Sequence, residues 1–197
     1  PIYSKIPNPI VKPGEHALYF ITKDNNVKQL GPQIFATSYE VTKNNDKDIY
    51  VSEFEKILNN RIVNINGTKI LTLCCGEVNA ILGRDDIKYI SEKVKDVMQS
   101  ANIILNPTHD CMANYGTLKA KRKFLSEVND GNALYINSSN WNIEKKLSNG
   151  KIRKQSQKNS FLQNVYNSGV KMDMKEYYSD EECLINICEI NNTGVEI

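Results

Sequence analysis

From Thr68 to Asn137 short apolar runs alternate with stretches of helical spacing, and no other feature of the 197 residues restricts the fold as much. Thr68 to Cys75 reads as a buried strand. Asp85 or Asp86 then caps a helix in which Ile87, Ile90, Val94, Val97, Met98 and Ala101 recur on one face. Asn102 to Asn106 is a short apolar strand stopped by Pro107, and Thr108 to Tyr115 is a loop. A basic helix follows to Val128 with Leu118, Leu125 and Val128 inward; Asp130-Gly131 ends it, and Ala133 to Asn137 is the next strand. A β-α-β-α-β order makes the three strands parallel neighbours or near neighbours, so their carboxyl ends share one edge of a sheet.

That edge collects chemistry. It carries Cys75-Gly-Glu77, then Asn106-Pro-Thr-His109, then Asn137-Ser-Ser-Asn-Trp141. A thiol, a carboxylate, an imidazole, several amides and an indole therefore converge on one rim, the place where open α/β sheets bind ligands. Alternation along the strand decides which thiol matters. Cys74 stays inside as a small apolar residue, while Cys75, last before the glycine turn, is placed to leave the core.

The flanks are plainer. Pro1 to Gly14 is an extended lead-in, and His16 to Thr22 is a strand that Lys23-Asp-Asn-Asn26 turns back into Val27 to Leu30. Gln33 to Tyr39 reads as another strand leading to Val41-Thr-Lys43, and Val51 to Leu58 as a short helix. Asn66-Gly67 joins Arg61–Ile65 to the Thr68 strand as a hairpin. Ser148 to Lys158 is a solvated basic loop, Phe161 to Val170 includes a strand, and Glu182 to Ile190 is a closing strand. Lys119, Lys121, Arg122 and Lys123 read as a wet helix face, from which Arg122 can still reach an acidic substrate group.

Length and charge narrow the classes. The chain suits a single domain over residues 1–197. A net charge of +2 gives no footprint for nucleic acid or an anionic membrane. No run approaches the roughly 18 apolar residues of a membrane span, and Pro1 to Pro7 lacks the apolar core of a signal peptide. Five cysteines, two of them adjacent, do not make a disulfide framework and suit a reducing, cytoplasmic setting. With two histidines and no Cys-x-x-Cys pair, neither a structural metal nor any cofactor is expected.

A thiol on such a rim needs a nearby cation or base to act as a nucleophile. Cys75 has two sources: His109 on the adjacent strand end, or a lysine from an earlier strand end with a carboxylate as base. The second arrangement resembles the carbon–nitrogen hydrolase, or nitrilase, superfamily. Ser38 to Lys43 is similar to the segment that delivers that family's lysine, and Thr68 to Glu77 to the strand entering its cysteine. Ser100 to Thr108 resembles the next strand; Leu118 to Leu125 followed by Gly131 to Asn137 resembles the helix and strand after it.

The resemblance implies an α/β fold, a four-layer α-β-β-α sandwich that often dimerises, here incomplete at its N-terminal end. It implies amide or nitrile hydrolysis, or acyl transfer, through a Cys75 acyl-enzyme assisted by Lys43 and a glutamate. Too few residues precede Lys43 for the family's early glutamate-bearing unit, so Glu40, Glu53 or Glu55 is left to serve, or the chain is a fragment or an inactive relative. Glu77, Asn79, Asn106, Thr108, His109, Arg122 and Trp141 are the expected substrate-binding residues, with positioning of the turn an equal alternative for Glu77. Two other readings stand beside it. One is a flavodoxin-like Cys–His enzyme of the amidotransferase type using Cys75, His109 and Glu77. The other is an inactive nitrilase-like module that binds a small molecule or serves as a subunit.

Overall fold

The computed structural model describes residues 17–108, 115–139, 144–146, 150–154, 163–179 and 184–189. In chain order these form β1 (Ala17–Ile21), β2 (Val27–Pro32), α1 (Ser38–Thr42), α2 (Lys47–Ile57), β3 (Ile62–Ile65), β4 (Thr68–Thr72), β5 (Ile81–Leu82), β6 (Lys88–Tyr89), α3 (Glu92–Gln99), β7 (Ile103–Thr108), α4 (Tyr115–Ser126), β8 (Leu134–Ser139), β9 (Glu144–Lys146), β10 (Ile152–Lys154), β11 (Gln163–Asn167), β12 (Val170–Lys171), β13 (Lys175–Ser179) and β14 (Leu184–Ile187). The architecture is mixed α/β around a six-stranded sheet ordered β12-β11-β8-β7-β4-β3.

The centre of the sheet is the parallel trio expected from the β-α-β-α-β pattern. β4 pairs with β7, and β7 with β8, both parallel. Antiparallel β3 and β11 flank them. The β3–β4 hairpin turns on Asn66 (φ 49°) and Gly67 (φ 85°), with Ile65 opposite Thr68. Two consecutive left-handed residues are what a tight two-residue hairpin requires, and Asn-Gly tolerates them best.

Side-chain alternation sorts the sheet into two faces. Leu71, Leu73, Ile104, Tyr135 and Tyr166 point to one face, where Phe54 and Leu58, Val94 and Met98 of α3, and Leu118 and Leu125 of α4 close the main core. Ile103, Leu134 and Val165 point to the other face, with Ile70, Leu105, Ile136, Met172, Met174 and Cys188 packed against them. Among the described residues no helix is long and apolar enough to cross a membrane.

Several local expectations are corrected. Gln33 to Tyr39 is no strand: Thr37 caps α1, and the Glu40 carboxylate reaches back to it. The capping pair competes successfully with the β-favouring residues Ile34, Phe35 and Thr37. Asp85 and Asp86 cap no helix; they lie in the connection between β5 and β6, and Ser91 is the residue whose side chain caps α3, accepting from the Val94 N–H. The Ile87 and Ile90 spacing mimicked a helical phase that starts only at Glu92. β7 runs through Pro107 to Thr108 and is not stopped by it. Ile152–Lys154, expected in a loop, pairs with Glu144–Lys146. Leu184–Ile187, the expected closing strand, pairs with β13 in a separate hairpin rather than with the main sheet.

Candidate functional site

The site is built from the end of β4. Beyond Thr72 the chain stays extended, and the Leu73 N–H still donates to the Leu105 carbonyl at 2.8 Å. Cys74 is extended as well (φ −85°, ψ 128°). Cys75 then switches to φ 31°, a left-handed value that a side chain occupies only under strain. The chain winds at once into a 3-10 turn over Cys75–Ala80.

Gly76 explains why the switch falls where it does. A Cβ on Gly76 would lie 2.0 Å from the Ala36 carbonyl oxygen, a backbone atom that cannot swing away. Only glycine lets the segment before α1 press this close to the turn.

Glu77 ties the turn down. Its Oε2 accepts the Cys74 N–H at 2.7 Å, and its Oε1 accepts the Ile34 N–H at 2.9 Å and the Arg61 Nη2 at 2.8 Å. The same Arg61 Nη2 donates to the Pro32 carbonyl at 2.6 Å. Both side chains are fully buried. Burial pushes the Glu77 carboxyl up to about 7, against the pull of the Arg61 charge and the two backbone N–H groups. Of the two roles open to Glu77, positioning the turn or binding substrate, the structure shows the first: it sits in the core as the anchor of the cysteine turn.

From the other side Asn106 clasps the same turn. Its Nδ2 donates to the carbonyls of Leu73 (3.0 Å) and Cys75 (3.2 Å), and its Oδ1 accepts the Tyr135 hydroxyl at 2.9 Å. The Asn137 Nδ2 donates to the Asn106 carbonyl and to the Thr108 Oγ1. Asn106 and Thr108 are therefore rungs of a buried polar ladder across β7 and β8.

The two thiols divide as alternation implies. Cys74 is 5% exposed, its Sγ 3.8 Å from the Gln33 Oε1. Burial, and after it the Glu77 charge, push its thiol up to about 12. Cys75 is half-buried.

The groups expected to assist Cys75 are placed unevenly. Lys43 does not end a strand; it is the exposed C-terminal cap of α1, and its ammonium has no hydrogen-bond or ion-pair partner among the described residues. The Glu40 carboxylate accepts from the Ala36 and Thr37 N–H groups at 2.9 and 2.6 Å, which brings it to the segment that presses on Gly76. Glu53 lies on α2, paired with Lys56 at 2.6 Å. His109 and Trp141 lie outside the described residues.

The wet-face reading of α4 fails at two positions. Lys119 and Lys123 are exposed, but Lys121 is 3% and Arg122 1% exposed. Arg122 is close enough to Tyr166 for its charge to oppose the upward push of burial on that phenol. The Lys121 Nζ donates to the Asn79 Oδ1 at 2.8 Å, and the Asn79 Nδ2 donates to the Gly76 carbonyl at 2.9 Å. Asn79, expected at the substrate, bridges α4 to the cysteine turn. Spacing held the missed signal: Lys121 and Arg122 stand three and four residues after Leu118 and before Leu125, on the inward stripe. Arg61, between α2 and β3, had no such signal.

Compared with family models, with curated proteins and with solved structures, the chain finds no match.

Proposed function

We propose that the chain is a thiol-dependent carbon–nitrogen hydrolase or acyl transferase that works through Cys75. The observation that carries this reading is the left-handed backbone of Cys75 at the tip of a central parallel strand, clamped by Gly76, Glu77 and Asn106. A turn of this shape lifts a side chain off the sheet edge and starts a helical turn beneath it; the Glu77 N–H donates to the Cys74 carbonyl at 2.7 Å, and the N–H of Gly76 is the group assigned to a developing oxyanion.

In the reaction the Cys75 sulfur attacks an amide carbonyl carbon, its proton passing to a base. The C–N bond breaks, the amine leaves with a proton, and a thioester remains on Cys75. Water or a second amine attacks the thioester and restores the thiol. A nitrile enters the same route as a thioimidate, to which water adds before ammonia leaves. Glu40 is the carboxylate assigned to the proton transfers, and Lys43, one turn further on, the cation. His109 and Trp141 remain assigned to substrate, while Arg122, buried beside Tyr166, does not. The apolar second face of the sheet, Ile103, Leu134 and Val165, supports a four-layer α-β-β-α sandwich completed by a further sheet, with a second copy as the wider assembly.

The test is labelling with a cysteine alkylator at pH 7, read by peptide mass. Cys75 should react much faster than Cys74, whose burial keeps it a protonated thiol. Incubation with short amides and nitriles should then give an acyl adduct on Cys75 in the intact mass. Labelling of the two at one slow rate removes the reading.

A second reading follows from a different observation. Glu77 is held by Arg61, Glu40 caps α1, and Lys43 is exposed. A module that binds a small molecule without turning it over has this arrangement. It requires that no acyl adduct form with any amide or nitrile while Cys75 still labels.

A further inference from the structure

A cleft of about 480 Å³ opens between α1, the Cys75–Ala80 turn and the start of α4. Ser38, Thr42, Asn79, Arg84, Thr117 and Lys121 line it together with apolar residues. Its volume is in the range that holds a small molecule.

Its charge is one-sided. Among the described residues that line it, two are cations and none is an Asp or Glu. Lys121 is 3% exposed, and among the described residues its ammonium bonds only the neutral Asn79 oxygen. An ammonium has three protons to donate, and a buried charge needs both hydrogen bonds and a counter-charge to offset its lost hydration. Asn79 supplies one acceptor and no charge. Burial brings the Lys121 ammonium down to about 8, and among the described residues no carboxylate opposes it. Arg84 is more exposed, its guanidinium 3.7 Å from the neighbouring Asp85, a loose surface pair. Gly116, at the start of α4, lies beside Arg84: a Cβ there would be in ordinary contact with the guanidinium, at 3.5 Å. The hydroxyls of Ser38 and Thr117 add polar groups, while that of Thr42 donates to the Ser38 carbonyl at 2.6 Å.

We infer that this cleft binds a small molecule bearing an oxyanion, a carboxylate or a phosphate, with Lys121 as the buried cation and Arg84 as the cation at the entrance. The anion supplies the charge that Lys121 lacks and the acceptors for its remaining protons. Because Lys121 also holds Asn79, and Asn79 holds the Gly76 carbonyl, an occupied cleft stiffens the turn that carries Cys75. The inference stands whether or not Cys75 is a nucleophile, since binding is read separately from labelling or turnover.

The experiment is calorimetric titration of the full chain with inorganic phosphate and, separately, with succinate, in wild type, Lys121→Met and Arg84→Gln. Wild type is expected to bind at least one probe saturably, and the tighter probe identifies the head group. Lys121→Met keeps the length of the side chain and removes its charge; it should weaken binding by about tenfold or more. Arg84→Gln should weaken it by about threefold. Arg84 is exposed, so that variant folds even if Lys121→Met does not. In wild type the Lys121 ammonium resonance, followed by nitrogen NMR, should shift on saturation and its titration midpoint should rise. No saturable binding to either probe, or binding unchanged in Arg84→Gln with the Lys121 resonance unmoved, overturns the proposal.

Discussion

The Arg61 guanidinium and the Glu77 carboxylate meet at 2.8 Å with neither side chain reaching solvent. Sixteen residues separate them, and the contact joins the segment between α2 and β3 to the cysteine turn. Removing one partner leaves a buried charge uncompensated, which costs far more than the pair itself contributes. At pH 8, Glu77→Gln should lower the unfolding free energy by about 3–5 kcal/mol, because an amide group would also face the Cys74 N–H donor. Urea unfolding of the two proteins checks this; a loss below about 1 kcal/mol would show that the pair is easily replaced.

The same carboxyl makes stability depend on pH. Burial raises it from 4.5 to about 7 in the folded chain, with Arg61 opposing. Between those values the folded chain keeps a proton that the unfolded chain has released. This contribution is therefore fully present below about pH 4.5 and is lost as the pH rises through about 7. The urea midpoint of wild type should fall from pH 5 to pH 7.5 relative to that of Glu77→Gln. A difference that grows in the opposite direction would mean that Arg61 outweighs burial.

Gly76→Ala should fail or nearly fail to fold, with a loss of at least about 3 kcal/mol, since its Cβ would sit 2.0 Å from the Ala36 carbonyl oxygen. Circular dichroism melting is sufficient to see it. A variant melting within a few degrees of wild type would place Ala36 elsewhere.

Cys75 should behave in the reverse way. Its φ of 31° suits glycine better than any side chain. Cys75→Gly is expected to keep or raise stability by up to about 1 kcal/mol, and Cys75→Val, branched at Cβ, to lower it by about 2 kcal/mol. Acyl-adduct formation should vanish in both. Equal stability in all three proteins would argue against strain at this residue.

Asn106→Leu keeps the volume and removes the clasp on the Leu73 and Cys75 carbonyls. It should cost about 2–3 kcal/mol, as three buried polar groups lose a partner. Faster labelling of Cys74 relative to Cys75 in this variant would report a loosened turn; an unchanged ratio would assign the turn to Glu77 alone.

The sheet centre was readable because the three apolar runs at Thr68, Asn102 and Ala133 are separated by stretches of helical spacing, even though the first of those stretches reads as helix too early, at Ile87 and Ile90. The division of labour between Cys74 and Cys75 followed from the same periodicity. Other features depend on partners distant in sequence. Nothing local in Ile34-Phe-Ala-Thr37 announces that, some 40 residues on, Glu77 takes the Ile34 N–H and Gly76 lies against the Ala36 carbonyl. Charge also misled: a run containing Lys119, Lys121, Arg122 and Lys123 suggests solvent, yet the inward phase of α4 takes the middle two. Lys43 was placed by analogy with a strand, and a capping pair made that segment helical instead.

The ladder from Asn137 through Asn106 to the carbonyl of Cys75 also orders events during synthesis. Asn106 follows Leu73 by 33 residues, and Tyr135 follows Asn106 by 29. A nascent chain can close the Asn66-Gly67 hairpin early, but the clasp waits until β8 has left the ribosome. The Cys75 turn therefore acquires its final shape late, after most of the scaffold exists, and a partly translated chain carries this residue without the clasp that holds it.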